Sequence, residues 1–273
     1  KKINDLKKKK LLVDYIFTLN ESYVEVYSQF IKGKIIPVGS LKNNSIPISH
    51  KKNSSGKKKL LYISQFRQKA ANSINKKFNN LSTQQKLDTG ESYLVRSEIK
   101  LIPLIVEYCI VNQVILEICG RSNDKGEFLF YKSLIKEEFK NWYYFPKIDM
   151  ETTYKMLDKA TAVAFIDSTL GYEALARKRP TACFSIRGEF LDNFEGCKFG
   201  RPAVCVDNGP FWCNELNVSN LNNILNFVLN VSDNDWKKTR EKYMEEIIFY
   251  DPGNAKFKEI MSTINVSLFN KIN

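Results

Sequence analysis

The residues best suited to chemistry lie in one stretch of the chain, "AFIDSTLGYEALARKRPTACF", which spans residues 164–184. An apolar run there ends in Asp167, Ser168 and Thr169, and a helical pattern begins directly afterwards. The N-terminus of a helix has unpaired N–H groups and the positive end of the helix dipole, so it favours a phosphate. The stretch indicates either a phosphate site or an ordinary helix start in which Ser168 and Thr169 act as caps.

Two residues of the predicted helix suit the rest of a nucleotide. Gly171 lacks a side chain, so a ligand could approach the backbone closely there. Glu173 lies four residues after Thr169 and shares its face of the helix. Its carboxylate could accept hydrogen bonds from ribose hydroxyl groups, and the alternative for Glu173 is an ordinary surface position. These positions predict a site for a phosphate and its ribose.

Apolar runs alternate with helical patterns from Leu60 onward, which predicts an α/β fold with a parallel sheet and right-handed crossovers. The runs "LLYI", "LEIC", "WYYF" and "AVAFI" are typical of its strands. Ligands bind at the carboxyl ends of such strands, and the guanidinium and hydroxyl groups found there suit an anion, although a solvated surface is the alternative. The further candidate nucleotide-binding residues at these ends are Ser64, Arg67, Gly120, Arg121, Pro146, Lys147 and Ile148.

The beginning of the chain predicts a separate βαβ unit. "LLVDYIFTL" and "KIIPVGS" have the pattern of strands, and the amphipathic "NESYVEVYSQFI" between them that of a helix. The polar stretch 41–59 has no apolar period and is typical of a linker. We therefore expect residues 1–50 to end a partial N-terminal α/β domain, residues 51–59 to link, and residues 60–273 to form a C-terminal ligand-binding domain.

The positive charge of the chain is concentrated at its beginning. The net charge is +12, and residues 1–60 contribute +10 of it through 14 lysines and four acidic residues. Such a segment suits an anionic surface, so we expect peripheral contact with the inner membrane, with a simple solvated segment as the alternative. The chain has no recognisable nucleic-acid-binding motif, and we expect no nucleic-acid partner.

Several function classes are disfavoured by composition. The single histidine, His50, lies in the polar linker, which argues against a catalytic triad or a histidine metal site. The six cysteines form no CxxC pair and suggest buried thiols in a reducing, cytoplasmic compartment. Neither GxGxxG nor GxxxxGK[ST] occurs, so a dinucleotide enzyme or a P-loop NTPase is not expected. A nucleotide held without a glycine cradle fits a nucleotide-sugar enzyme better.

The stretch "IDSTLGYEALARKRP" resembles the donor-site segment of GT-B glycosyltransferases, closest to bacterial surface-carbohydrate transferases related to β-Kdo and sialic acid transferases. "YISQFR", "GRPAVCVDNGPFW" and "YDPGNAKF" agree with it, and together these segments cover most of residues 60–260. The resemblance implies that the second domain holds a CMP-linked sugar, with Ser168 and Thr169 on the phosphate and Glu173 on the ribose. Residues 146–148 would meet the base and residues 120–121 would lie along the nucleotide. Related enzymes often carry a His-Pro motif where this chain has "CGRS", which leaves the donor open.

The implied reaction moves a sugar, Kdo or a related ulosonic acid, from a CMP donor to a glycan or glycolipid acceptor such as capsule polysaccharide or lipopolysaccharide. We expect no cofactor besides the donor, and no metal. A carboxylate must act as base or nucleophile, and the candidates are Asp88, Glu91 and Glu98, each of which could instead be a solvated charge. The alternatives are a nucleotide-sugar epimerase or pyruvyl transferase on the same fold, or a non-catalytic protein that binds acidic glycan.

Overall fold

The computed structural model describes residues 9–49, 56–67, 92–191, 195–201, 204, 206–244 and 247–272. The chain divides into two compact units. The smaller one combines Lys1–Ile48 with Glu241–Asn273, and the larger one is Ser49–Arg240. The tail from Glu241, which the sequence analysis assigns to the C-terminal domain, is thus grouped with the beginning of the chain. The domain boundaries of the sequence analysis themselves stay a prediction.

The larger unit is built on a seven-stranded sheet, as the alternation of apolar runs and helical patterns predicts. Its strands are β3 (Lys59–Ile63), β4 (Ile115–Cys119), β5 (Trp142–Phe145), β6 (Ala162–Phe165), β7 (Thr181–Phe184), β8 (Asn208–Gly209) and β9 (Trp212–Cys213). Their order is β5-β4-β3-β6-β7-β9-β8, and every pair is parallel except β8 with β9. β6 and β7 are buried along their whole lengths, as expected for a sheet covered on both faces.

Helices connect the successive strands from β3 to β7, and two further helices follow the last strand. Those described in or running out of the larger unit are α3 (Ser92–Val111), α4 (Lys125–Leu134), α5 (Met150–Lys159), α6 (Thr169–Ala176), α7 (Val218–Asn230) and α8 (Asp233–Met244). α4 and α5 begin at aspartates whose side chains accept hydrogen bonds from N–H groups of the first turn, which fixes where each helix starts. α3 continues through Pro103 without a break.

The smaller unit contains the expected βαβ arrangement. β1 (Leu11–Thr18) pairs in parallel with β2 (Ile31–Pro37), and α1 (Ser22–Ser28) connects them. A short helix, α2 (Leu41–Ser45), occupies the first part of the stretch expected to be a linker. The last helix of the chain is α9 (Ala255–Ile272).

Two buried asparagines help to hold the end of the chain to its beginning. The side-chain amide of Asn20 donates to the carbonyl of Ile247. Asn44 accepts from the backbone N–H of Asp251 at 3.1 Å and donates to the carbonyl of Val38 at 2.8 Å. Buried amides are expected to be hydrogen-bonded, and here each of the two has a backbone partner more than 200 residues away in sequence. No helix of the described ranges is both long and apolar enough to cross a membrane.

Candidate functional site

A cavity of about 400 Å³ opens at the carboxyl ends of the central strands of the larger unit. This is the edge of the sheet at which α/β folds bind ligands. Seven of the eleven predicted nucleotide-binding residues line it: Ser64, Arg67, Gly120, Arg121, Lys147, Ser168 and Thr169. The structure therefore brings together residues from four separate strand ends, as the topology required.

The beginning of α6 has the features of an anion site. Ser168 occupies the N-cap position with extended φ and ψ, yet its hydroxyl makes no capping hydrogen bond within the described structure. Its carbonyl accepts from the N–H groups of Gly171 and Tyr172 at 2.9 and 3.3 Å. The first N–H groups of a helix have no partner inside the helix. Plain capping by Ser168, the alternative weighed from the sequence, is therefore not what the geometry shows.

The charged groups of the cavity wall are mainly cationic. Arg67, Arg121, Lys147 and Arg187 contribute positive groups, and Asp167 contributes a carboxylate that forms an ion pair with Arg187. Guanidinium groups suit the recognition of phosphate and carboxylate oxygens. Arg187 was missed in the sequence analysis. It follows β7, and inspection of that strand's carboxyl end, as done for four other strands, would have found it.

Gly120 holds its loop close to the neighbouring strand. Its N–H donates to the carbonyl of Phe145 at 2.8 Å. A Cβ atom at this position would lie 2.5 Å from the hydroxyl oxygen of Tyr144. A larger residue would therefore push the loop away from β5 and alter the cavity wall.

The Ser64 hydroxyl is already engaged inside the protein, which corrects its predicted role. It donates to the buried carboxylate of Glu127, and it accepts from the Phe66 N–H at 3.1 Å and contacts the Tyr131 hydroxyl at 2.7 Å. A serine hydroxyl has one proton, and Ser64 gives it to Glu127, so it has none left to donate to a phosphate oxygen. Ser64 therefore contributes shape to the cavity rather than a hydrogen bond to a ligand.

Glu127 shapes the loop after β4. Its carboxylate is fully buried and accepts from the backbone N–H of Arg121 at 2.8 Å and from that of Ser122 at 2.9 Å. The Ser122 hydroxyl, at 2.7 Å, and the Ser64 hydroxyl add two more hydrogen bonds. These contacts fix the backbone from which the Arg121 side chain extends. Sequence reasoning missed Glu127 because a glutamate in the first turn of a helix usually lies in solvent.

Glu98 has a positioning role rather than the catalytic one predicted for it. The carboxylate is fully buried outside the cavity lining, and its Oε1 accepts from the Gln65 N–H at 2.8 Å, from Tyr62 at 3.1 Å and from Tyr131. Burial raises the pKa of Glu98 to about 7, and the hydrogen bonds from Tyr131, Gln65 and Tyr62 only partly oppose this rise. A carboxylate with no exposed surface cannot reach an acceptor sugar. Glu98 instead fixes the backbone at the end of β3.

The other two predicted catalytic residues, Asp88 and Glu91, lie outside the described residues. Two of the predicted nucleotide-binding residues, Pro146 and Ile148, are exposed and lie outside the cavity lining. Their neighbour Lys147 does line it, and its N–H donates to the carbonyl of Ser122 at 2.9 Å.

Gly171 and Glu173 face the interior of the unit instead of the cavity. The position that a Gly171 Cβ would take lies 2.2 Å from the ring of Phe165, so this glycine allows α6 to pack on β6. Glu173 is 5% exposed, and its Oε2 accepts from the Tyr154 hydroxyl at 2.7 Å. The close ligand approach predicted at Gly171 and the ribose contact predicted at Glu173 are thus not supported by the geometry.

Comparisons with known proteins agree with this fold. The chain matches the model of a family described as "putative O-antigen biosynthesis protein" over residues 2–265. No curated protein matches it in sequence.

Two solved structures share the fold over nearly the whole chain. Sucrose-phosphate synthase from Thermosynechococcus elongatus is 11% identical with a TM-score of 0.51, and the match covers 96% of this chain and 61% of that one. The wall teichoic acid polymerase TagF is 12% identical with a TM-score of 0.52, and the match covers 95% and 59%. Both are GT-B proteins, so the expected GT-B-like α/β fold is confirmed. The chain spans about three fifths of the length of these structures.

Proposed function

We propose, from the premise that this chain belongs to the O-antigen biosynthesis protein family whose model matches residues 2–265, that it is a glycosyltransferase of surface-glycan assembly. The donor in this proposal is a CMP-linked sugar, Kdo or a related ulosonic acid. The acceptor is a surface polysaccharide or a lipopolysaccharide precursor. The GT-B-like fold and the family membership both support transfer of a sugar.

The observation that carries the proposal is the open N-terminus of α6. Ser168 and Thr169 line the cavity there, and the Ser168 hydroxyl is not used for capping among the described residues. A phosphate bound at this point would receive hydrogen bonds from backbone N–H groups and from hydroxyls at the positive end of the helix dipole. A neutral ligand would gain much less from the same groups.

The N–H and hydroxyl groups at the N-terminus of α6 also suit the nucleotide that leaves when the sugar is transferred. Transfer from a CMP-activated ulosonic acid builds oxocarbenium character on the sugar and negative charge on the phosphate. Preorganised donors aimed at developing charge contribute roughly 3–4 kcal/mol each in enzymes where they have been removed. Arg67, Arg121 and Lys147 add positive charge around the cavity, so we propose that transfer proceeds without a metal.

The base or nucleophile of the reaction stays a proposal from the sequence. An acceptor hydroxyl must lose its proton as it attacks the sugar, and a carboxylate is the usual recipient. With Glu98 buried, Asp88 and Glu91 are the remaining sequence candidates.

Nucleotide binding by the native protein and by the double variant Ser168→Ala/Thr169→Ala tests the proposal. We expect CMP to raise the melting temperature of the native protein more than UDP does, and we expect the double variant to bind CMP roughly 10- to 100-fold more weakly, since hydrogen bonds to charged groups are worth about 1.5–3 kcal/mol. Ser133→Ala is the matched control, because the Ser133 hydroxyl bonds to a carbonyl of its own helix at 2.7 Å on an exposed face.

Each possible result has a definite meaning. A preference for UDP would contradict the CMP donor and favour another nucleotide-sugar enzyme. Binding of a heparin-like acidic glycan with no response to any nucleotide would contradict the glycosyltransferase assignment. Loss of CMP binding in Ser133→Ala as large as that in the double variant would show that the effect is not specific to α6.

A further inference from the structure

Gln65 is buried at the cavity with an unpaired side-chain amide. The residue is 4% exposed and lines the cavity, and within the described structure neither its Nε2 nor its Oε1 has a hydrogen-bond partner. A carboxamide has two donor hydrogens and one acceptor oxygen. Buried polar groups are nearly always paired, because leaving them unpaired costs free energy. A ligand that pairs with both atoms recovers that cost.

The backbone of Gln65 is held firmly although its side chain is unpaired. Its N–H donates to Oε1 of Glu98 at 2.8 Å, and the hydroxyls of Tyr62 and Tyr131 donate to the same oxygen. The residue follows directly on Ser64, whose hydroxyl proton is donated to Glu127. Both amide atoms are closed to solvent, so the Gln65 side chain must turn toward the cavity that it lines before its amide can pair with a ligand.

The strand order places Gln65 next to the proposed phosphate site. β3 lies between β4 and β6 in the sheet, and Gln65 follows β3 whereas Ser168 follows β6. Neighbouring strands are about 4.8 Å apart, so Gln65 is roughly one strand spacing from the phosphate and roughly two from the end of β5, where the base is expected. In a nucleoside monophosphate the group between phosphate and base is the ribose.

The chemistry of a ribose matches that of a carboxamide. Its 2′- and 3′-hydroxyl groups are adjacent, and each can donate and accept, so one can donate to Oε1 while the other accepts from Nε2. The residue first predicted to bind the ribose, Glu173, lies outside the cavity lining and already accepts a hydrogen bond from Tyr154. Gln65 lines the cavity and has the free capacity that Glu173 lacks.

We infer that Gln65 recognises the vicinal 2′- and 3′-hydroxyl groups of the donor's ribose, which makes it a residue that distinguishes ribonucleotides from deoxyribonucleotides. The inference rests on the proposed function, since it assumes that a nucleotide binds in this cavity. Glu98 is the positioning residue that orients Gln65 through its backbone N–H.

Calorimetric titration with CMP and with 2′-deoxy-CMP tests the inference on the native protein, Gln65→Leu and Gln29→Leu. Native protein is expected to bind CMP about tenfold more tightly than 2′-deoxy-CMP, the equivalent of one hydrogen bond. Gln65→Leu is expected to bind the two nucleotides equally, and more weakly than native protein binds 2′-deoxy-CMP, because the contact to the 3′-hydroxyl is lost as well. Leucine has a similar size and no polar atoms, so the ligand-free variant should melt no lower than the native protein. Gln29 is exposed in the other unit, and its variant should keep the native ratio.

The possible results distinguish a failure of the inference about Gln65 from a failure of the proposed function. Equal affinities of native protein for the two nucleotides would overturn the inference without the need for a folded variant. A folded Gln65→Leu protein that keeps the native ratio of CMP affinity to 2′-deoxy-CMP affinity would overturn it too, even if both affinities fall by the same factor. If native protein binds none of CMP, UMP, AMP and GMP, the proposed function fails and the inference fails with it.

Discussion

The buried carboxylate of Glu98 makes stability depend on pH. Burial raises its pKa from 4.5 to about 7, so between these values the folded protein binds more protons than the unfolded chain. Proton binding by Glu98 therefore stabilises the folded protein. This contribution is complete below pH 4.5 and is lost as the pH rises through 7. We expect Glu98 to reduce the free energy of unfolding by about 2–3 kcal/mol between pH 5 and pH 8.

Urea unfolding of native protein and Glu98→Gln at several pH values measures this effect. Glutamine resembles the protonated acid and can still accept from Gln65 and Tyr62. The free energy of unfolding of Glu98→Gln should therefore exceed that of the native protein at pH 8 and become equal to it near pH 5. The same pH slope in both proteins would show that Glu98 does not titrate in this range.

Single residues of the site could be predicted only in part. Ser168, Thr169 and Arg121 were found because they follow strands, and the position alone identified them. Glu98 and Glu127 could not be recognised, since a buried carboxylate and a surface one look the same in a sequence. Their burial is possible only because tyrosine hydroxyls, a serine hydroxyl or backbone N–H groups from distant elements surround them.

At the scale of elements, a buried ion pair fixes α5 against the end of α6. Arg177 donates from Nε and Nη2 to the two carboxylate oxygens of Asp158 at 2.9 and 2.6 Å, and both side chains are at most 1% exposed. Asp158 also accepts from the Ser49 N–H at 2.7 Å. Breaking such a pair leaves an uncompensated buried charge, which typically costs about 3–5 kcal/mol.

We therefore expect Asp158→Asn to lower the free energy of unfolding by roughly that amount in a chemical denaturation experiment. The control is Glu151→Gln, which removes an exposed ion pair with Lys155 on the same helix and should cost at most about 1 kcal/mol. Equal losses in the two variants would mean that the buried pair adds nothing beyond a surface pair.

Strands and helices could be predicted from the sequence where their hydrophobic patterns were long. The apolar runs of β3 to β6 and the helices between them were expected, because a parallel sheet requires this alternation of buried strand and amphipathic crossover. β8 and β9 were not, since each has two residues, too few to show any period. They form the antiparallel edge of an otherwise parallel sheet.

At the scale of the whole molecule, the grouping of Glu241–Asn273 with the beginning of the chain could not be predicted. Asn20 and Asn44 contribute to it, because their amides bond to backbone atoms near the other end of the sequence. No local pattern marks an asparagine as the residue that attaches a distant segment. The distribution of charge along the chain, in contrast, can be counted directly from the sequence.

The excess of +10 within residues 1–60 supports the proposal that the protein contacts an anionic membrane surface. Cosedimentation with vesicles of phosphatidylglycerol and phosphatidylethanolamine should show binding at low salt, and binding should fall steeply at high salt as the charges are screened. Replacement of Lys7, Lys8, Lys9 and Lys10 by serine should weaken it. Binding that is unchanged by salt and by these substitutions would contradict the proposal.

The central claim is that the N-terminus of α6 binds the phosphate of a nucleotide. The most direct measurement is the backbone amide NMR shift of Thr169 and Leu170 during titration with CMP and, separately, with cytidine. The account predicts large shifts of both amides with CMP and small ones with cytidine, which lacks the phosphate. Equal shifts with the two ligands, or no shift of these amides while CMP binds, would contradict it.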